Sequence, residues 1–251
     1  MREGWRYCDI MVSPSKLMTK NAFEWAIFLY NQMGGYDGSY FDARLKLEMS
    51  AVKGRPGEDL IWFLNQWKTR VKKTAEEPVN GWYKENTDLL KFLTNPLSNI
   101  NLEDKKIRGI IKKLYNSLDA VHGIGSTATA KILHILNPNL FVAWDEAIKI
   151  HYLSDYDGED EGSEKYLFFM KKMQNFTKLI DQNEVQKLLE GTKILYTERF
   201  NNEFNPEKRG KLKERIAILE LKGKSLAKFI DEYNWITITN EIPLPPKWHP
   251  N

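Results

Sequence analysis

The chain has 251 residues, 42% of them hydrophobic and 28% charged, and its 37 basic and 34 acidic side chains leave a net charge of only +3. That is enough chain for a full hydrophobic core with the balance of a water-soluble globular protein, and no apolar run approaches the roughly 18 to 20 residues that a membrane span needs. One cysteine, Cys8, excludes internal disulfides, a four-cysteine iron–sulfur cluster and a cysteine-rich zinc site; no apolar stretch follows Met1-Arg2-Glu3-Gly4-Trp5-Arg6, so a cytoplasmic protein without a secretory leader or membrane partner is expected.

Helical signals run through the sequence. Ser13-Pro14-Ser15 caps a segment carrying Leu17, Phe23, Trp25, Ala26, Phe28 and Leu29, and Gly34-Gly35 ends it. Asp59 to Glu77 spaces Leu60, Ile61, Phe63, Leu64, Trp67 and Val71 as one amphipathic helix, broken at Pro78 and Gly81. Trp82 to Leu93 reads as the next, stopped by Asn95-Pro96. Lys105–Asp119, Thr127–Leu136 and Glu146–Leu153 follow, then an acidic surface loop over residues 155–163. Glu164–Ile180 and Lys208–Tyr233 continue the helical pattern, Trp235–Ile238 predicts a short extended piece, and Ile242-Pro243-Leu244-Pro245-Pro246 predicts an extended tail. No fixed-period repeat is present. The expected architecture is all-α, a compact two-lobed helical domain forming a single unit over residues 1–251.

Two stretches concentrate positive charge: Lys105, Lys106, Arg108, Lys112 and Lys113, and then Lys208, Arg209, Lys211, Lys213, Arg215, Lys222, Lys224 and Lys228. Either one alone reads as a solvated helix face, but together they flank a turn suited to phosphate. In that turn Gly123 and Gly125 bracket Ile124 between two helical patterns, which predicts a tight hairpin using glycine's freedom at positive φ. Ile124 would fill the angle between the helices. The amides of Gly125, Ser126 and Thr127 open the second helix, where unpaired donors and the helix dipole favour an anion. Ala128 and Ala130 permit close packing, and Ile132, Leu133, Ile135 and Leu136 form the buried side.

Gly123-Ile124-Gly125, with Asp145 twenty residues after Gly125 and Asn137-Pro138 between them, resembles the helix-hairpin-helix superfamily of DNA glycosylases over some 35 residues of the 105–154 segment. The resemblance implies a protein that grips double-stranded DNA at its phosphates, rotates one nucleotide into a pocket and cleaves its N-glycosidic bond, working as a monomer. It assigns DNA contact to His122, Gly123, Ile124, Gly125, Ser126 and Thr127, and makes Asp145 the carboxylate that stabilises the developing sugar cation or positions water. Trp144 is a candidate for stacking on the flipped base, set against the ordinary expectation of a core tryptophan.

There are departures. Members that also cut the strand carry a nucleophilic lysine two residues after the second glycine, where this chain has Thr127, so a monofunctional enzyme is expected. Lys131, one helical turn further on, is the nearest substitute amine. His122 stands where a proline often precedes the first glycine. No cofactor is implied, the hairpin carbonyls offering at most a site for a monovalent cation.

Other readings compete. Asp145 before Glu146-Ala147-Ile148 is also an ordinary helix N-cap, which leaves a non-enzymatic DNA-binding module as the main alternative. Gly123-Ile124-Gly125-Ser126-Thr127-Ala128 satisfies a G-x-G-x-x-A pattern, as in a dinucleotide-binding oxidoreductase, but that reading demands a buried strand before Gly123 where Lys112–Asp119 has helical spacing. Asp155 to Gly162 lacks the glycine and glutamate positions of a calcium loop. The histidines His122, His134, His151 and His249 lack zinc-ligand spacing, and His134 reads as a core residue.

Overall fold

A computed structural model describes residues 20–33, 37–180 and 182–243. Among them the protein is all-α, with eleven helices and no strand: α1 Lys20–Gln32, α2 Asp37–Val52, α3 Gly57–Gln66, α4 Glu76–Phe92, α5 Lys105–Asp119, α6 Ser126–Leu136, α7 Glu146–Leu153, α8 Gly162–Thr177, α9 Gln182–Asn202, α10 Pro206–Lys222 and α11 Leu226–Asn234. Their buried apolar side chains join in one continuous cluster. The expected cap at Ser13-Pro14-Ser15, the stop at Gly34-Gly35, Cys8 and the tail beyond Pro243 lie outside the described residues.

Several boundaries differ from the sequence pattern, each for a local reason. The helix expected over Asp59–Glu77 ends at Gln66, and Pro78 and Gly81 lie inside α4 rather than breaking it. Pro78 sits in the first turn of α4, where an amide hydrogen has no helical partner to lose. The actual break is the Trp67–Lys72 loop, held by Asn65, which donates to the Val71 carbonyl at 2.9 Å and accepts from the Val71 amide at 2.8 Å. Lys208–Tyr233 is two helices, because Gly223 takes φ +60° and Ser225 caps α11 by accepting from the Lys228 amide. Trp235–Thr239 is not extended: it continues α11 as a π-helical turn, closed by the Asn240 amide donating to the Trp235 carbonyl at 3.0 Å. Its β-branched residues suggest a strand, but burial of Ile236 keeps the turn on the core.

Around the hairpin the pattern and the fold agree. Asp104 caps α5 by accepting from the Lys106 and Ile107 amides, and Ile110, Ile111, Leu114, Tyr115 and Leu118 give α5 a buried stripe at helical spacing. The chain turns over Ala120–Gly125 into α6, and Ile124 is buried between the helices. The element preceding Gly123 is therefore helix α5, and the strand required by a dinucleotide fold is not there.

Candidate functional site

The turn uses its two glycines differently. Gly123 has φ +86°, a conformation closed to most side chains, whereas Gly125 is extended at φ −111°, ψ 178°. The expectation of positive φ thus holds for Gly123 alone. A Cβ on Gly125 would meet no protein atom within 4 Å, so its smallness serves no internal packing. It is also the N-cap of α6 and supplies no side-chain cap, leaving the first-turn amides around Ser126 and Thr127 without one. His122, Gly123 and Gly125 are exposed.

Asp145 caps α7, with Oδ1 accepting from the Ile148 amide at 2.9 Å. Its Oδ2 accepts from the Thr239 hydroxyl at 2.7 Å, so the π-helical turn fixes the carboxylate from across the fold. Asp145 is half-buried and lines a cavity of about 450 Å³. Thr127 and Lys131 from α6 and Ile148 from α7 line one side; Tyr30, Trp67, Thr69, Asp231 and Trp235 reach it from three distant parts of the chain. That volume lies within the range of small-molecule sites.

Lys131 does not extend into solvent. Its Nζ donates to the Trp67 carbonyl at 2.9 Å and to the Thr69 hydroxyl at 3.3 Å. Burial pushes its ammonium below the usual lysine range, with the Asp231 and Asp145 carboxylates pulling partly the other way. Trp144 contributes to the cavity wall but is 1% exposed, its ring packed against Tyr115, Tyr166 and Phe169 and its Nε1 donating to the Ser126 carbonyl at 3.1 Å. It locks the start of α6 against the chain entering α7; of the other aromatic lining residues Tyr30 and Trp67 are also buried, so the aromatic surface offered to a ligand is chiefly that of Trp235.

Part of each basic stretch is spoken for. Arg108 pairs with Glu164 at 2.9 Å, and Lys112 with Glu161 at 2.8 Å and Glu164 at 3.0 Å, while Lys224 and Lys228 are buried. Asp155 and Asp160 of the acidic loop pair with Lys172 and Lys165. Sequence reasoning passed over Lys68, Arg70, Lys72 and Lys73, all exposed on or directly after the loop whose Trp67, Lys68 and Thr69 line the cavity. Arg70, Lys72 and Lys73 make no ion pair among the described residues. The run is legible as Lys68-Thr69-Arg70-Val71-Lys72-Lys73, but a continuous helix over Asp59–Glu77 would spread its charges around the helix rather than gather them on one loop.

Three non-glycine residues among those described have positive φ: Lys68 at 58°, Arg70 at 57° and Glu241 at 50°. Lys68 lines the cavity, Arg70 follows two residues later, and Glu241 follows the lining residue Asn240. Backbone strain of this kind costs on the order of 1–3 kcal/mol per residue and tends to persist where a site requires it. Searches of family models, curated proteins and solved structures give no match to this chain.

Proposed function

We propose that the protein is a DNA glycosylase-like, monofunctional base-excision enzyme that admits one damaged base to the Asp145 cavity and hydrolyses its N-glycosidic bond. The carrying observation is that Asp145 opens onto a cavity of about 450 Å³ with aromatic walls, rather than being sealed in as a cap. The same cavity is bounded by α6 through Thr127 and Lys131, so the turn that would hold a phosphate and the carboxylate that would meet the sugar belong to one surface. The exposed Lys68, Arg70, Lys72 and Lys73 supply further phosphate contacts at the rim.

In this reading the electron pair of the C1′–N bond leaves with the base, which takes up a proton. Water forms the new C1′–O bond, and Asp145 stabilises the intervening sugar cation or accepts the water's proton. Thr127 carries no amine, so no Schiff base forms there. The test is base release from a panel of duplexes carrying single lesions, including 8-oxoguanine, uracil, an alkylated purine and a mismatch. Release that disappears in Asp145→Asn supports the assignment; binding of duplex DNA with no release across the panel makes the protein a non-enzymatic binding module.

One observation favours a second reading. Lys131 lines the cavity, and burial lowers its pKa, which favours the neutral amine a nucleophile needs. If borohydride traps a covalent protein–DNA adduct that vanishes in Lys131→Ala, the enzyme is bifunctional. No trapped adduct is expected, because the Lys131 ammonium is engaged by the Trp67 carbonyl and the Thr69 hydroxyl.

A further inference from the structure

Behind the aromatic side of the cavity, α11 buries charge. Lys224 Nζ lies 2.8 Å from Glu232 Oε1, and Lys228 Nζ lies 2.9 Å from Asp231 Oδ2 and 3.4 Å from Glu232 Oε1. Lys228 also donates to the Tyr30 hydroxyl at 3.3 Å, with its Nζ 4.8, 5.1 and 5.2 Å from the ring centroids of Tyr30, Tyr40 and Trp67. Lys224, Lys228 and Glu232 have almost no solvent exposure. Removing such groups from water is expensive unless their charges are matched. Only Asp231 of the four reaches the cavity.

Asp231 is fixed from behind and open in front. Its Oδ2 is held by Lys228, whereas Oδ1 has no partner among the described residues. A carboxylate in this state is purely an acceptor, and Oδ2 keeps a second lone pair. Tyr30, Trp67 and Trp235 line the same cavity, with Trp235 the most exposed of the three. A planar ring entering between those aromatics would present an edge to the carboxylate. An edge with N–H donors would be bound, whereas an acceptor edge would set its lone pairs against those of Oδ1 with no hydrogen between them.

We propose that Asp231 is a specificity-determining residue that reads N–H donors on the edge of the bound base, selecting donor-edged over acceptor-edged bases. The proposal rests on the base-excision reading and names the substrate class within it.

The experiment uses the full chain carrying Asp145→Asn, so that binding is measured without excision. Three labelled duplexes differ only in the base: 8-oxoguanine donates from adjacent N1–H and 2-amino groups, hypoxanthine donates from N1–H alone, and O6-methylguanine keeps the 2-amino donor but sets an acceptor at N1 beside it. Affinity should fall in that order, with at least about a tenfold separation between first and last. Adding Asp231→Asn should remove the separation, and a parent-like far-UV circular dichroism spectrum with cooperative melting reports that the protein is folded. The graded series in Asp145→Asn alone tests the donor edge even if the double variant fails to fold. Equal affinities, the reverse order, or a preference that survives Asp231→Asn overturns the proposal. Base release by the parent protein together with any of those results leaves the base-excision reading standing; no release on any lesion overturns both.

Discussion

The two sides of the cavity are built differently. The side bearing Thr127, Lys131, Asp145 and Ile148 comes from a short continuous stretch with ordinary backbone, a capped α7 and a well-packed tryptophan behind it. The other, with Tyr30, Trp67, Asp231 and Trp235, is assembled from three remote segments and carries strained residues, a π-helical turn and buried ion pairs. The first has the makings of chemistry, which needs one carboxylate placed relative to a held phosphate. The second has those of selection, which needs a shaped and charged wall. Strain and buried charge are tolerated where a surface must stay polar inside a core.

The strongest way to break this contrast is to disturb the remote wall. Lys228→Ala leaves Asp231 and Glu232 facing each other with one lysine fewer, and removal of one partner from a buried charge pair typically costs about 3–5 kcal/mol. Denaturant unfolding should show a loss of that size; less than about 1 kcal/mol would mean that the wall is solvated in the native state. On the local wall, Asp145→Asn keeps the cap but loses the charge, so base release should fall on the order of 10²–10³-fold with stability nearly unchanged. Asp145→Ala should in addition lose about 0.5–2 kcal/mol of stability. Release by Asp145→Asn at the parent rate would reduce Asp145 to a cap.

The same division separates what was legible in the sequence from what was not. Gly123, Ile124, Gly125 and Asp145 lie close in sequence, and their spacing fixes a turn, a plug and a cap before any tertiary contact is known. Asp231 gives no such signal: with Lys228 and Glu232 on one helix it looks like a solvated i,i+3/i,i+4 network, and only packing against Tyr30, Tyr40 and Trp67 reverses that. Thr239 reaches Asp145 across 94 positions of sequence, so its role is invisible without the fold. Helix α2 was missed because Leu45, Met49 and Val52 are exposed, blurring its amphipathic pattern. Trp235–Ile238 misled because β-branched residues favour strands until a preceding helix and a buried isoleucine decide otherwise.

His134 links the two walls and gives a pH test. It is buried beside Tyr40 and Trp67, its Nδ1–H donates to the Phe141 carbonyl at 2.7 Å, and Nε2 has no partner among the described residues. Burial pushes its pKa down to about 4 from 6.5. The unfolded chain takes up the proton first, so this contribution is complete above about pH 6.5, declines as pH falls toward 4 and changes no further below it. The difference is on the order of 3 kcal/mol. Stability measured at pH 7, 5.5 and 4.5 should fall in the parent and fall less in His134→Gln; parallel pH profiles would show that the ring is hydrated.

The smallest expected loss of stability comes from one of the two glycines, and the pair separates the turn's folding from its use. Gly123→Val forces a branched residue to φ +86°, which should cost about 1–3 kcal/mol and weaken DNA binding indirectly, by displacing the turn. Gly125 is extended, and an added Cβ meets no protein atom within 4 Å, so Gly125→Val should cost only the poorer N-cap, about 0.5–1 kcal/mol. The new side chain nevertheless stands at the opening of α6, where on the proposed base-excision reading a phosphate would approach the uncapped amides. Duplex affinity measured at fixed salt should therefore drop on the order of tenfold, about 1.4 kcal/mol, in a protein that melts close to the parent. A Gly125→Val protein that binds duplex DNA as tightly as the parent would mean that the α6 opening does not touch the phosphate, and DNA contact would pass to the Lys68–Lys73 rim.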